Sequence, residues 1–528
     1  METTPAAPSR REWLTQIGRM AGSATLLRAM VALGASAESS YAGPADLQGA
    51  PPGASVLVLG AGLAGMLAAW ELRKAGYAVK LLEYGQRAGG RCWTLRGGDS
   101  YTELGGATQR VEFTAGQYFN PGPWRIPYHH HGVLDLARRL NVPLEPFTQV
   151  NHNAYLHSRR AFGGQPQRLR HVQADFHGHV AELLAKAVDA RALEGAVTRE
   201  DQERLLEALR QWGALDRSNR YHAGFPSSNR RGFAVDAGGG LMPEPEVSQP
   251  LALNELLKSG LWGYLTAGQD HEYQSTLMQP VGGMDRIAVA LHAQVADAVQ
   301  FGARVTAIAQ DARGVNVTYN DMASGAVRQA RADACVCTIP LSILSQIDMQ
   351  VSAPVQEAIA AVPYESSVKV GLQFKRRFWE EDEAIYGGIS FTDLPIGVIG
   401  YPQHGLASKG KGVLLGAYIW GPNAYEFTAR APSERVQLAL QYGALIHPQM
   451  SQEFETGASV AWHRVPGVQG CFGVWSNDAR RTHYKALCQV DGRIVLAGEH
   501  ASLLPAWQEG AVLSALDAVK RLHARLKA

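Results

Sequence analysis

The chain has 528 residues, enough for roughly three or four domain-sized units. Hydrophobic residues make up 46% and charged residues 19%, a globular balance that excludes disorder. With 50 Lys and Arg against 48 Asp and Glu, the formal net charge is +2, which points to neither a nucleic-acid partner nor a charged tail. The five cysteines form no C-x-x-C pair, excluding a disulfide scaffold and a zinc ribbon, and no apolar run is long enough for an integral membrane segment.

In chain order, Ser9-Arg10-Arg11-Glu12-Trp13-Leu14 comes first, followed by an apolar stretch from Ala21 that ends in Ala35-Ser36-Ala37, an A-x-A site. The pattern resembles a twin-arginine export signal. It implies a signal over residues 1–37 and a periplasmic or secreted protein; without it the protein is cytoplasmic. Such signals serve proteins exported already folded, which suits one that binds its cofactor before leaving. Residues 38–53, rich in Gly, Pro, Ala and Ser, read as a linker.

Val56-Leu57-Val58-Leu59 is an uninterrupted apolar run, as a buried parallel strand requires. It leads into Gly60-Ala61-Gly62-Leu63-Ala64-Gly65, a G-x-G-x-x-G, and then into a helical pattern with Leu63, Leu67 and Trp70 on one face. Gly76 ends the helix, Val79 to Leu82 forms a second strand, and Glu83 follows. This βαβ unit predicts dinucleotide binding. Gly60, Gly62 and Gly65 let the backbone approach a pyrophosphate at a helix N-terminus, where unpaired N–H groups and the dipole favour anions. Glu83 stands where it accepts hydrogen bonds from the adenosine ribose. The motif alone does not separate FAD from NAD. Two glycine pairs follow, in Arg87-Ala88-Gly89-Gly90-Arg91 and Glu103-Leu104-Gly105-Gly106-Ala107, and suit a second approach to a diphosphate and to a flavin ring.

With these blocks the chain resembles the flavin amine oxidases, and within them the bacterial L-amino acid oxidases, from about residue 54 to 528. The resemblance implies FAD as cofactor. It assigns Gly90 and Arg91 to the cofactor site and makes Gly282-Gly283-Met284-Asp285 the re-entry into the FAD domain. The Val305 backbone would meet the adenine, and Lys369 would hold a water near flavin N5. Gly498 and Glu499 would meet the flavin side chain. Trp507-Gln508-Glu509-Gly510-Ala511-Val512 resembles the loop and helix start beneath the flavin pyrimidine, which adds Trp507, Gln508, Gly510 and Ala511 to the site. Ala511, Ala515, Ala518 and Leu522 recur at helical spacing, so a helix starting near Gly510 would aim its N–H groups at the flavin C2 carbonyl, where reduced flavin is negative.

Phe119-Asn120-Pro121-Gly122-Pro123-Trp124-Arg125-Ile126-Pro127 is a rigid loop. Arg125 matches the family arginine that grips the substrate carboxylate, and a guanidinium fork does so with two parallel hydrogen bonds. Tyr418, on a strand from Val413 to Trp420, matches a tyrosine that adds a hydroxyl to the same carboxylate, with Trp420 as the competing position. His129, His130 and His131 are expected at a helix start or pocket wall, since adjacent residues on a helix do not converge on a metal; no metal is expected. Gly470-Cys471-Phe472 matches the region where monoamine oxidases carry a thioether to flavin, but a non-covalent FAD is favoured. The absence of a G-x-S-x-G elbow leaves acyl transfer without support.

The expected fold is α/β. A Rossmann-like FAD-binding domain is built from residues 54–110, 273–345 and 486–528, and a mixed α+β substrate domain from 111–165 and 346–485. A helical insertion and long loop span 166–272, the loop covering 216–250. The implied reaction is hydride transfer from the α-carbon of an L-amino acid to flavin. It yields a 2-oxo acid and ammonia, with molecular oxygen reduced to hydrogen peroxide. The amine must be neutral for this step; the family supplies no obvious protein base, leaving solvent or the Lys369 water. An L-amino acid 2-monooxygenase, releasing an amide and carbon dioxide, and another flavin amine oxidase or dehydrogenase stay open, as does a homodimer.

Overall fold

The computed structural model describes residues 39–193 and 196–528. The proposed signal over 1–37 lies outside the described residues.

The first apolar run becomes the strand Ser55–Leu59 at the centre of a six-stranded sheet. Its neighbours are Ala78–Leu82 and then Val299–Gln300 on one side, and Ala334–Cys337 and then Ile494–Leu496 on the other, all parallel. The short strand Val490–Asp491 closes the edge antiparallel. Alternate residues of Ser55–Leu59 enter different cores, which is why the run carries no polar face. Val56 and Val58 pack toward the helices Leu63–Lys74 and Gln508–Lys527. Leu57 and Leu59 pack toward a mixed sheet in which Ala303–Asp311, Gly314–Asp321 and Val327–Ala332 run antiparallel and Asp348–Met349 pairs parallel at the edge.

A seven-stranded mixed sheet forms the second layer system. Its strand Ser367–Phe374 is buried along its whole length and pairs antiparallel with Gly412–Trp420 and Phe454–Ala461, setting Lys369 opposite Tyr418. The insertion packs the helix Leu169–Asp189 against Arg199–Gly213, the latter capped by Thr198. The stretch 216–250 is less irregular than its glycines and prolines suggest. It holds the helix Phe225–Arg231, started by Pro226 and tied down by an ion pair of Arg231 with the fully buried Asp175. Seven residues are too few for a periodic signal, so the helix was not legible in the sequence. Among the described residues no helix is long and apolar enough to cross a membrane.

Candidate active site

A cavity of about 590 Å³ lies where the parallel strands end, against the inner face of the seven-stranded sheet. Gly60, Glu83, Thr338 and Gly498, each one or two residues past a parallel strand, form its wall. Ligands collect at this end of an open α/β sheet.

At one end, Gly62 caps the helix Leu63–Lys74 without any side-chain hydrogen bond, so its first N–H groups remain for a ligand. Gly60, Gly62, Gly89 and Gly90 line this part of the wall. Gly65 does not: a Cβ there would fall 1.9 Å from the Gly60 carbonyl oxygen. Its role is close helix–strand packing, a correction to its expected place among cofactor contacts. Glu83 Oε2 accepts from Ala61 N–H at 2.6 Å and Oε1 from Gly85 N–H at 2.7 Å. Burial raises its pKa, opposed by these two donors and by Arg87. Each carboxylate oxygen keeps a lone pair for a ribose hydroxyl.

Val305, Arg91, Gly498, Glu499, Trp507, Gln508 and Ala511 continue the wall. Arg91 Nη1 donates to Glu499 Oε1 at 2.6 Å and to the Cys471 carbonyl at 3.0 Å. Burial works against the Arg91 charge, but Glu499, Tyr364 and Cys471 together outweigh it and the net pKa shift is upward. The final helix begins at Gln508, two residues before the expected Gly510. Gly510 itself is packed behind the wall, where a Cβ would sit 2.2 Å from the Leu504 carbonyl oxygen. Glu509 is turned away to cap another helix, accepting from Gly132 and Val133 N–H at 2.8 Å. The second glycine pair is also misread by sequence. Gly105 and Gly106 are exposed in the turn between Ser100–Thr102 and Thr108–Arg110, and Glu103 is buried in an ion pair with Arg435. Of that segment only Leu104 reaches the cavity.

At the other end, Arg125 lies among aromatic rings, its guanidinium carbon 4.6 Å from the Tyr273 ring centre and 5.3 Å from that of Trp124. Among the described residues no carboxylate pairs with it, and its buried Nε has no hydrogen-bond partner. Tyr418 and Trp420 both line the cavity, because residues two apart on a strand share a face. The residue expected near flavin N5 is Lys369. It is 1% exposed, is not part of the wall, and donates from Nζ to the Gly122 carbonyl at 2.6 Å, 4.1 Å over the Tyr418 ring. Burial pulls its pKa down to about 7. Cys471 lines the cavity, and burial pushes its thiol up to about 12, so it is not a thiolate.

Sequence reasoning missed Trp124, Tyr273 and the convergence at His130. Tyr273 directly follows the insertion, and nothing local ties it to Arg125. His129 and His130 precede the helix His131–Arg139 rather than lying on it, so helical spacing does not govern them. Both turn toward the buried Glu272, with one donor atom from each of the three lying within 4.8 Å of the others. Pro127, just ahead, was the available hint that the helix begins late.

The glycine cradle, open helix start, Glu83 and long cavity fit a dinucleotide, and the enclosed basic end fits a small anionic molecule beside it. Comparison agrees. Residues 63–523 match the family model described as flavin containing amine oxidoreductase. YobN of Bacillus subtilis (strain 168) is 28% identical over 479 residues, covering 87% of this chain and 93% of that protein. The L-amino-acid oxidase of Siganus canaliculatus is 28% identical over 478 residues, covering 89% of this chain and 85% of that protein. Among solved structures, cyclohexylamine oxidase from Brevibacterium oxydans IH-35A superposes with a TM-score of 0.59 at 17% identity, covering 90% of this chain and 100% of that one. Wild-type putrescine oxidase bound to putrescine gives 0.58 at 17%, with the same coverage.

Proposed function

Because the chain belongs to the flavin-containing amine oxidoreductases and its cofactor is FAD, we propose that it oxidatively deaminates an L-amino acid to a 2-oxo acid, ammonia and hydrogen peroxide. The observation that carries this is Arg125, a cation on the cavity wall with no carboxylate partner among the described residues. A neutral or cationic amine gives such a group nothing to bind, whereas an amino acid carboxylate does. Relatives named L-amino-acid oxidases support the same reading.

The backbone of Gly60, Gly62 and Gly90 would hold the diphosphate, and Glu83 the ribose. Val305 would flank the adenine, Arg91 with Glu499 would brace the flavin side chain, and Trp507, Gln508 and Ala511 would contact the ring. Bound FAD supplies a two-electron acceptor that oxygen regenerates, releasing peroxide. Arg125 fixes the substrate carboxylate with the Tyr418 hydroxyl nearby, and Trp124, Trp420 and Tyr273 exclude water around it. Lys369 secures the Gly122 carbonyl and so the loop that carries Arg125. Orientation of this kind is worth several orders of magnitude in rate.

The purified protein should be yellow, release intact FAD on acid or heat denaturation, and form peroxide with some members of an L-amino acid panel. Amide and carbon dioxide in place of peroxide would make it a monooxygenase. Colour that stays with the precipitate until Cys471→Ala frees it would make the flavin covalent.

We further propose that residues 1–37 direct export by the twin-arginine route, on the pattern around Arg10 and Arg11. Replacing both arginines with lysine should strand active, flavin-loaded enzyme in the host cytoplasm. Unchanged extracytoplasmic activity would remove that reading.

A further inference from the structure

Trp124 belongs to two cavities. It lines the large one beside Arg125, and it also lines a second pocket of about 40 Å³. Gly400 and Leu415 border only the small pocket, whereas Arg125, Tyr273 and Trp420 border only the large one. The indole is therefore the partition between the two. The small pocket has room for no more than a few waters. Its wall includes Tyr118 and His404, whose Oη and Nε2 are buried without a hydrogen-bond partner among the described residues. Both are polar ends that a water would satisfy.

The partition is held by its neighbours. Phe147 and Tyr418 meet the indole edge-on, at 5.5 and 5.9 Å between ring centres, and Lys369 Nζ lies 5.5 Å over it. Behind it stands Gly400, the last residue of the strand Val398–Gly400, paired with Leu415 of Gly412–Trp420. A Cβ at Gly400 would fall 2.2 Å from Trp124 Cζ2 and 2.7 Å from Cη2, and 3.3 Å from Leu415 Cβ. Gly400 is not one of the positive-φ glycines, so a side chain is excluded there by the indole and not by the backbone conformation.

A substrate gripped by Arg125 is held beside this ring, since the guanidinium carbon lies 5.3 Å from the Trp124 ring centre. With the carboxylate fixed there and the Cα hydrogen directed to the flavin, the side chain runs along the aromatic wall of Trp124, Tyr418 and Trp420. We propose that Trp124 is the stop that limits the length of the substrate side chain, and that Gly400 sets how far back the stop stands. The proposal rests on the L-amino acid oxidase reading and extends it to substrate size. Shortening Trp124 joins the small pocket to the large cavity. A side chain at position 400 pushes the indole forward and shortens the cavity.

The test is kcat/KM over L-alanine, L-norleucine, L-phenylalanine and L-tryptophan, each paired with its decarboxylated amine. The proteins are FAD-loaded wild type, Trp124→Leu, Gly400→Ala, and the double variant Gly400→Ala with Trp124→Phe. One methylene more or less in an apolar pocket is worth roughly tenfold to two-hundredfold. Trp124→Leu should therefore raise the ratio of the largest to the smallest accepted substrate by roughly tenfold or more, and Gly400→Ala should lower it by a similar factor. The double variant should return the ratio toward wild type, because a phenyl ring lacks the outer indole atoms that meet position 400. A Trp124 that only braces the Arg125 loop would lower every substrate by one factor and leave the ratios alone.

Ratios that stay at the wild-type value in Trp124→Leu and Gly400→Ala, with unchanged flavin spectra, overturn the proposal. A Gly400→Ala variant that favours larger substrates also overturns it. If Gly400→Ala does not fold, the direction of the Trp124→Leu shift decides alone. A wild type that oxidises the amines and none of the amino acids sinks the carboxylate reading instead. The size order is then read on the amines, so the two failures are distinguishable.

Discussion

Arg125→Met should keep its FAD and lose nearly all turnover of L-amino acids. A charge-assisted, bidentate pair in a partly buried site is worth on the order of 2–5 kcal/mol, so kcat/KM should fall roughly thirtyfold to several thousandfold. Arg125→Lys should recover only part of this, because an ammonium presents no planar fork. The decarboxylated amine of the preferred substrate should be a poor substrate for wild type and should lose little further in the variant. That crossing pattern separates a carboxylate clamp from an arginine that merely braces the loop between Pro121 and Pro127. Equal losses on amino acid and amine, or a variant stripped of flavin, would place the clamp elsewhere and reduce the function to general amine oxidation.

The parts of this site that were legible in the sequence are those whose chemistry is local. A strand, three glycines, a helix and an acid follow one another within 29 residues, from Ser55 to Glu83, so the cradle could be read directly. Arg125 stood out because the prolines beside it fix its loop. Gly65 and Gly510 show the limit of that reading. Both belong to the expected motifs, yet each is a glycine because backbone passes too close for a side chain, not because a ligand does. Tyr418 against Trp420 was an ambiguity only while the strand register was unknown; period two brings both to the cavity. The convergence of His130 and Glu272, 142 residues apart, had no local signature at all. It depends on where the insertion returns, and hydrophobic periodicity says nothing of that.

Glu103 provides the sharpest test of a misreading. A glycine pair after an acid suits a flavin approach, and it equally suits a hairpin turn. The structure shows the turn, with Glu103 and Arg435 each 1% exposed and joined by Nη1–Oε1 at 2.5 Å and Nη2–Oε2 at 2.9 Å. The pair links the hairpin to the helix Pro432–Gly443, 332 residues away in sequence. Arg435 also donates to the Phe427 carbonyl at 2.9 Å, so its whole fork is used. Arg435→Met would leave the Glu103 carboxylate buried without its counter-charge, which costs about 3–5 kcal/mol. The thermal midpoint should fall by on the order of 10 °C. The double variant Glu103→Leu with Arg435→Met should lose much less than the single one, because replacing both charges leaves no orphan in the core. Protein that remains folded should still bind one FAD per chain in either variant, since Glu103 is not part of the cavity wall. If Arg435→Met instead empties the flavin site at an unchanged midpoint, the glycine segment serves the cofactor after all, and the hairpin is only the form it takes.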